Sequence, residues 1–278
     1  MRINTNINSM RTQEYMRQNQ EKMNTSMNRL SSGKRINSAA DDAAGLAIAT
    51  RMRAKENGLG VASRNTQDGI SLIRTADSAL NSVSNILLRM RDLAVQSANG
   101  TNSEDDRKAT QKEFGQLISQ IDYIAKNTAF NGTNLLDGSA SSKVSIKTYD
   151  DGGADDIEIK LTNVKDTDLK DSKNNTLKSL SVEQDTTAKA AVTSIDDMIK
   201  SIATSRADLG ATLNRLDFNV ANLNSQASSM ASSASQIEDA DMAKEMSEMT
   251  KFKILNEAGI SMLSQANQTP QMVSKLLQ

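Results

Sequence analysis

From Val192 to Ile237 the chain sets an apolar side chain at alternating three- and four-residue steps without losing register. The series runs Val192, Ile195, Ile199, Ile202, Arg206, Leu209, Leu213, Leu216, Val220, Leu223, Ala227, Met230, Ala234 and Ile237, and only Arg206 interrupts it. A 3.5-residue repeat held this long keeps one stripe of a helix aimed at a partner helix. At about 1.5 Å per residue the segment measures roughly 70 Å, more than a compact globule can wrap. The expected fold is mainly α, an elongated coiled-coil or helical-bundle rod. Its function should lie in its length and in what packs alongside it.

Composition narrows the choice. Aromatic residues make up 3% of the 278, with no Trp and one Pro, which disfavours large compact cores and favours unbroken helices. The net charge of -1 lacks the surplus of base that phosphate binding needs, so no nucleic-acid partner is expected. With neither Cys nor His, disulfides, thiol nucleophiles and imidazole or thiolate metal sites are excluded. Met1-Arg2-Ile3-Asn4 lacks the apolar core of a secretory signal, and no stretch approaches the length of a membrane span, so no membrane insertion is expected.

A second seam precedes the first. Ile73, Ala76, Leu80, Val83, Leu87, Met90, Ala94 and Ser97 step by three and four, beside a parallel row of Leu72, Ala79, Ile86 and Leu93. Two adjacent rows suit a helix with more than one neighbour. Asn99-Gly100 is a helix stop, and Ser103 before Glu104-Asp105-Asp106 is an N-cap with acids in the first turn. The next helix carries Phe114, Leu117, Ile121 and Ile124 and ends near Asn127. Around residues 138–185 the pattern changes. Val144, Ile146 and Thr148 alternate with polar neighbours, as do Ile157, Ile159 and Leu161, on either side of a turn from Asp150 to Asp156. That is a β-hairpin pattern, and its polar, acidic character suits the solvent-facing outer end of the rod.

The termini are alike in kind. Ile3, Ile7, Met10, Met16, Met23, Met27 and Leu30 are spaced for one helix face, as are Met242, Met246, Met249, Phe252, Leu255, Ala258 and Met262. Ten of the fourteen methionines fall in residues 1–42 or 236–278, and Met suits surfaces whose partner varies in position. It is also an ordinary helix former in an ordinary core. Residues 1–56 carry ten Lys/Arg against five Asp/Glu, and 236–278 carry four against six, which favours pairing of the ends. Each end is too short and polar to be a secure helix alone. Both are expected to fold only on stacking with other copies.

Leu30-Ser31-Ser32-Gly33-Lys34-Arg35-Ile36-Asn37 and Asp41-Asp42-Ala43-Ala44-Gly45-Leu46-Ala47-Ile48 closely resemble bacterial flagellin. So do the run from Asn65 to Ile73, Phe130-Asn131-Gly132, Arg206-Ala207-Asp208-Leu209-Gly210, the run from Ile237 to Met246, and that from Met262 to Gln268. Gln236 and Glu257 depart from the family, which usually has Arg and Gln there. The resemblance implies a structural subunit that self-assembles into the flagellar filament, outside the cell, after passage through the flagellar type III exporter. It implies an inner terminal domain, residues 1–42 with 236–278, and a rod domain, 43–235, with the insert at about 138–185. The implied partners are other copies of the chain, hook-associated junction and cap proteins, an export chaperone holding roughly Met242 to Leu277, and host flagellin-sensing Toll-like receptors. Receptor contact is implied at Arg89, Leu93 and Glu113. The terminal assembly and chaperone face would comprise Ile3, Ile7, Met10, Met23, Met27, Leu30, Met242, Met246, Met249, Leu255, Met262, Leu276 and Leu277.

The alternatives are a hook–filament junction protein and a free-standing coiled-coil adaptor. Enzymatic use of Asp41-Asp42, Asp105-Asp106, Asp155-Asp156 or Asp196-Asp197 is not expected. Adjacent helical residues point about 100° apart, so capping or solvated surface explains these pairs, and no cofactor is implied. Asp41 and Asp42 should start a helix, with Gly45 allowing close backbone approach. The Arg206 stem should lie along apolar surface with its head in water; the sharper alternative is a register pin.

Overall fold

The computed structural model describes residues 6–138, 143–149, 156–165, 169–171 and 175–276. It is mainly helical: α1 (Ile7–Ser32), α2 (Ala43–Ser97), α3 (Glu104–Asn127), α4 (Asp185–Glu238) and α5 (Met242–Leu276). Between α3 and α4 lie β1 (Ala129–Phe130), β2 (Thr133–Asn134), β3 (Lys143–Ile146), β4 (Ile157–Lys160) and a 3-10 turn at Leu177–Ser179. The chain forms two compact units, a terminal one of Met1–Glu56 with Ser228–Gln278 and a central one of Asn57–Ala227. Sequence reasoning set the division at 42/43 and 235/236. The units divide instead inside α2, at Asn57-Gly58-Leu59-Gly60, and inside α4, within the Ser-rich stretch from Ser225 to Ser235, although both helices run through unbroken.

In the central unit the heptad rows become the core. Ile73, Ala76, Leu80, Val83, Leu87, Met90, Ala94 and Ser97 of α2 are all sealed from solvent. Along α4, Ile195, Ile202, Leu209, Leu216 and Leu223 are buried, while Ile199, Leu213 and Val220 are half-buried at the flanks. Each sealed Leu or Ile contributes about 1.5–3 kcal/mol relative to exposure. Polar contacts fix an antiparallel register: Ser63 donates to Asn224 at 3.1 Å, Arg206 meets Asp77, and Arg91 meets Asp196 at 2.6 Å. The Arg206 side chain is 35% exposed, and its head is paired rather than only hydrated. Its Nε donates to Asp77 at 2.7 Å and its Nη1 to Asn81 at 3.0 Å, a fork across the seam that holds the guanidinium pKa above its ordinary value.

α2 stops at Ser97, whose hydroxyl donates to the carbonyl of Val182. Ser103 and Asp106 then form a reciprocal capping box, and Phe114 and Ile121 of α3 are sealed against the core. Asn131 and Gly132 join β1 to β2 with φ of 48° and 79°, both left-handed, as a two-residue hairpin turn requires. β3 and β4 pair antiparallel, Val144 opposite Ile159 and Ile146 opposite Ile157; the expected turn from Asp150 to Asp155 lies outside the described residues. The insert is not simply solvent-facing. Ile159, Leu161, Val164, Leu169, Leu177 and Val182 are buried in the same core. A Cβ on Gly69 of α2 would come within 3.1 Å of Ile146, so the glycine lets the hairpin lie close.

Candidate functional site: the paired terminal helices

α1 ends on Gly33, left-handed at φ 71°, whose N–H donates to the carbonyl of Arg29. The turn frees the chain to run antiparallel to the α4–α5 junction. Arg35 and Ile36 donate backbone N–H to the carbonyl of Glu238, Ala240 donates to that of Gly33, and Lys34 pairs with Asp239. The nearly buried Glu238 carboxylate takes Lys34 on one side and Arg53 on the other, the latter at 3.5 Å. Asp41 accepts from Asn37, from Ser38 N–H and from the Ser38 hydroxyl; the backbone bonds, Ser38 first, lower its pKa. Asp42 caps α2 by accepting from Gly45 N–H at 2.9 Å. A Cβ on Gly45 would sit 2.5 Å from Asp42 and 2.7 Å from Ile36, so the close approach expected of this glycine is present.

From this clasp α1 and α5 run antiparallel. Arg29 meets Glu245 at 3.3 Å, Asn256 donates to Gln20 at 2.7 Å, and Asn6 donates to the carbonyl of Ala266 at 2.8 Å. The inward positions again step by three and four. On α1 they are Ser9, Thr12, Met16, Asn19, Met23, Ser26 and Leu30; on α5 they are Glu245, Met249, Phe252, Asn256, Gly259, Leu263 and Ala266. Only Ser26 and Glu245 among them are fully buried, and many of the rest are polar or small. Lys22 lies 5.6 Å from the Phe252 ring centroid, a cation–π contact across the seam. A Cβ on Gly259 would sit 2.8 Å from Met16 Cγ, so the helices touch closely at that level.

Many other large apolar side chains point outward. Ile7, Met10, Tyr15 and Met27 of α1, and Met242, Met246, Ile254, Leu255, Ile260 and Met262 of α5, are 41–64% exposed. The face read from sequence therefore splits: Met23, Leu30 and Met249 lie in the seam, and Ile7, Met10, Met27, Met242, Met246, Leu255 and Met262 face away from it. Ile3 and Leu277 lie outside the described residues, and Leu276 is described only as the last residue of α5. Ile254 and Ile260 escaped the sequence reading because α5 has apolar residues on several sides, so no single stripe stood out; Tyr15 of α1 lies off the stripe read there. Glu238 and Glu245 were also missed. Their partners are more than 180 residues away in sequence, which no local pattern reports.

In the central unit, Arg89 donates through Nε and Nη2 to Glu113 at 3.0 and 2.7 Å, and both side chains are half-exposed. Leu93, expected at that surface, is 2% exposed because its place in the α2 row turns it into the core; Leu88 and Val95 are the exposed apolar side chains nearby. Leu93 forms the floor of an open groove of about 490 Å³, with Gln96, Asn102, Asp106, Thr110 and Glu113 around it. Among the described residues, no cluster of three His, Cys, Asp or Glu could hold a metal, and no helix is long and apolar enough to cross a membrane.

Two long antiparallel helices, α1 and α5, with large apolar side chains left on their outer faces, define a mainly helical protein with an exposed apolar surface. The family model for the bacterial flagellin N-terminal helical region matches residues 3–141, and that for the C-terminal helical region matches 192–277. The flagellin of Listeria monocytogenes is 50% identical over 286 residues, spanning 100% of this chain and 99% of that one. The flagellin of Bacillus subtilis is 40% identical over 309 residues, spanning 100% of both. The crystal structure of Bacillus cereus flagellin superposes with a TM-score of 0.50 at 42% identity, covering 62% of this chain and 94% of that one. The chain belongs to the bacterial flagellin family, structural proteins of the flagellar filament.

Proposed function

We propose that this chain polymerises with copies of itself through the outward faces of α1 and α5. The observation that carries this reading is the ten large side chains left outside the terminal pair, more than the six large apolar ones, Met16, Met23, Leu30, Met249, Phe252 and Leu263, that its seam takes in. A surface of that kind is stabilised only when covered, and family membership supports a second copy as the cover. A seam this thin leaves α1 and α5 weakly held in a lone chain, so covering them couples folding to growth at the filament tip. Export in an unfolded form through the flagellar exporter follows from the same weakness. The exposed face of α5 from Met242 onward is then the natural hold for an export chaperone before assembly. Hook-associated junction and cap proteins would meet the same terminal helices at the filament ends.

The test is sedimentation of purified chain with and without short filament seeds, with the pellet viewed by electron microscopy. Long uniform filaments that grow faster on seeds are expected, and Ile254→Asp with Ile260→Asp should abolish growth while leaving the central unit's melting unchanged. A soluble species of fixed size under all conditions would fit a junction protein or an adaptor and would overturn the reading.

Toll-like receptor recognition is a separate proposal that rests on the family resemblance at Arg89 and Glu113. In it the ion pair supplies the contact, and Leu93 acts from beneath by fixing where Arg89 stands. Charge reversal at Arg89 should lower receptor activation without changing filament growth; unchanged activation would remove this role.

A further inference from the structure

Twelve of the fourteen methionines belong to the terminal unit, and the two in the central unit, Met90 and Met198, are 0% exposed. In the terminal unit Met10, Met27, Met242, Met246 and Met262 are 49–64% exposed, whereas Met16, Met23 and Met249 are partly shielded by the seam. The antiparallel register sets the exposed ones level with one another. Met10 lies level with Met262, between the Asn6–Ala266 and Met16–Gly259 contacts, and Met27 lies level with Met246, beside Arg29–Glu245. The chain has no Cys, so no thiol intercepts an oxidant before the thioethers do.

We propose that these five methionines form a redox-sensitive modification site whose oxidation by a peroxide arrests assembly. The inference rests on the outward faces of α1 and α5 being the assembly surface. In the reaction a thioether sulfur lone pair attacks one peroxide oxygen and the O–O bond breaks. The departing hydroxide takes up the remaining proton and leaves as water. Sulfur gives up two electrons and becomes a sulfoxide, and a sulfoxide reductase drawing on a thiol returns them. The product is a strong acceptor on what was an apolar face, and covering it without a donor is unfavourable. Ile7, Ile254, Leu255 and Ile260 share the exposed faces and do not react, so the surface keeps its shape while losing its apolar continuity. In a finished filament the same sulfurs are covered by neighbours, so the sensitivity belongs to the free chain.

The experiment treats the free chain with graded hydrogen peroxide, maps oxidation by peptide mass spectrometry, and measures seeded growth by sedimentation. The five, with the other methionines of the weakly held terminal helices, should oxidise well ahead of Met90 and Met198 in the sealed central core. Growth on untreated seeds should fall about tenfold or more, and return after reduction by enzymes specific for both sulfoxide epimers. A chain with all five changed to Leu should grow and keep growing after peroxide, since Met-to-Leu exchange conserves volume. If that variant assembles poorly by itself, the reductase reversal of the natural chain decides. Five mapped sulfoxides with undiminished growth would overturn the redox site and leave the assembly surface standing. Failure of the untreated chain to grow on seeds would overturn the assembly reading, and this proposal with it.

Discussion

In the central unit the rows from Ile73 to Met90 and from Ile195 to Leu216 put large aliphatic side chains at most seam positions and seal most of them. In α1 and α5 the corresponding steps alternate large apolar residues such as Met16, Met23, Phe252 and Leu263 with Ser9, Thr12, Asn19, Ser26, Asn256 and Gly259, and ten more large side chains lie outside. Both pairs obey the same three-and-four spacing, so spacing decides which residues face the neighbour but not how firmly they hold it. The first seam is self-sufficient. The second brings two helices together closely and leaves the main apolar surface for something else to bury.

The sharpest way to break that contrast is to put one charge into each seam. Leu216→Asp buries an unpaired carboxylate and should cost the central unit about 3 kcal/mol or more, read from a circular dichroism melt of the full chain. Met23→Asp, in a seam that is only half-buried, should leave that main transition within about 0.5 kcal/mol. Equal shifts in the two variants would mean the pairs are alike in strength. Glu238→Ala strips Lys34 and Arg53 of their shared carboxylate. The cost should be about 1–2 kcal/mol, since both cations are partly solvated, and hydrogen exchange at Arg35 and Ile36 should quicken. Gly45→Ala should displace the Asp42 cap or Ile36 for about 1 kcal/mol, visible as faster exchange in the first turn of α2.

Comparable in size, but confined to one helix end, is the cap of α3. Ser103→Ala should cost about 1 kcal/mol, confined to the start of that helix by exchange measurements. The Ser103 hydroxyl and then its N–H hold the Asp106 carboxyl below the usual aspartate range. A depressed folded pKa adds stability above the unfolded value of about 4, lost as pH falls through the folded one. Fraying at residues 103–106 should therefore grow as the pH drops below about 4 and should be absent at neutral pH. Fraying that instead increased with rising pH would contradict the cap. The turn at Asp41, depressed by Ser38 and Asn37 N–H donors, should loosen over the same acid range.

Much of the fold is legible in the order of residues alone. The α4 repeat, the α2 double row, the stop at Asn99-Gly100, the Ser103 cap and the β3–β4 alternation all depend on local spacing and local chemistry, and each is present at the expected residues. The Arg206 fork was not legible as such, because a lone charge on a seam looks the same whether it reaches water or Asp77. The insert's buried side chains were hidden for a related reason. Its overall polarity is high, and only the packing against α2 shows that alternate residues turn inward.

The sequence by itself determined the helices, the seams of the central unit, the caps and the family, because these follow from periodicity and from residues adjacent in the chain. Tertiary structure decided which apolar residues of the termini were left outward and how Glu238 gathers its two cations. Those outcomes depend on the rotation and register of helices more than 180 residues apart, and burial is a property of the pair of surfaces rather than of either one.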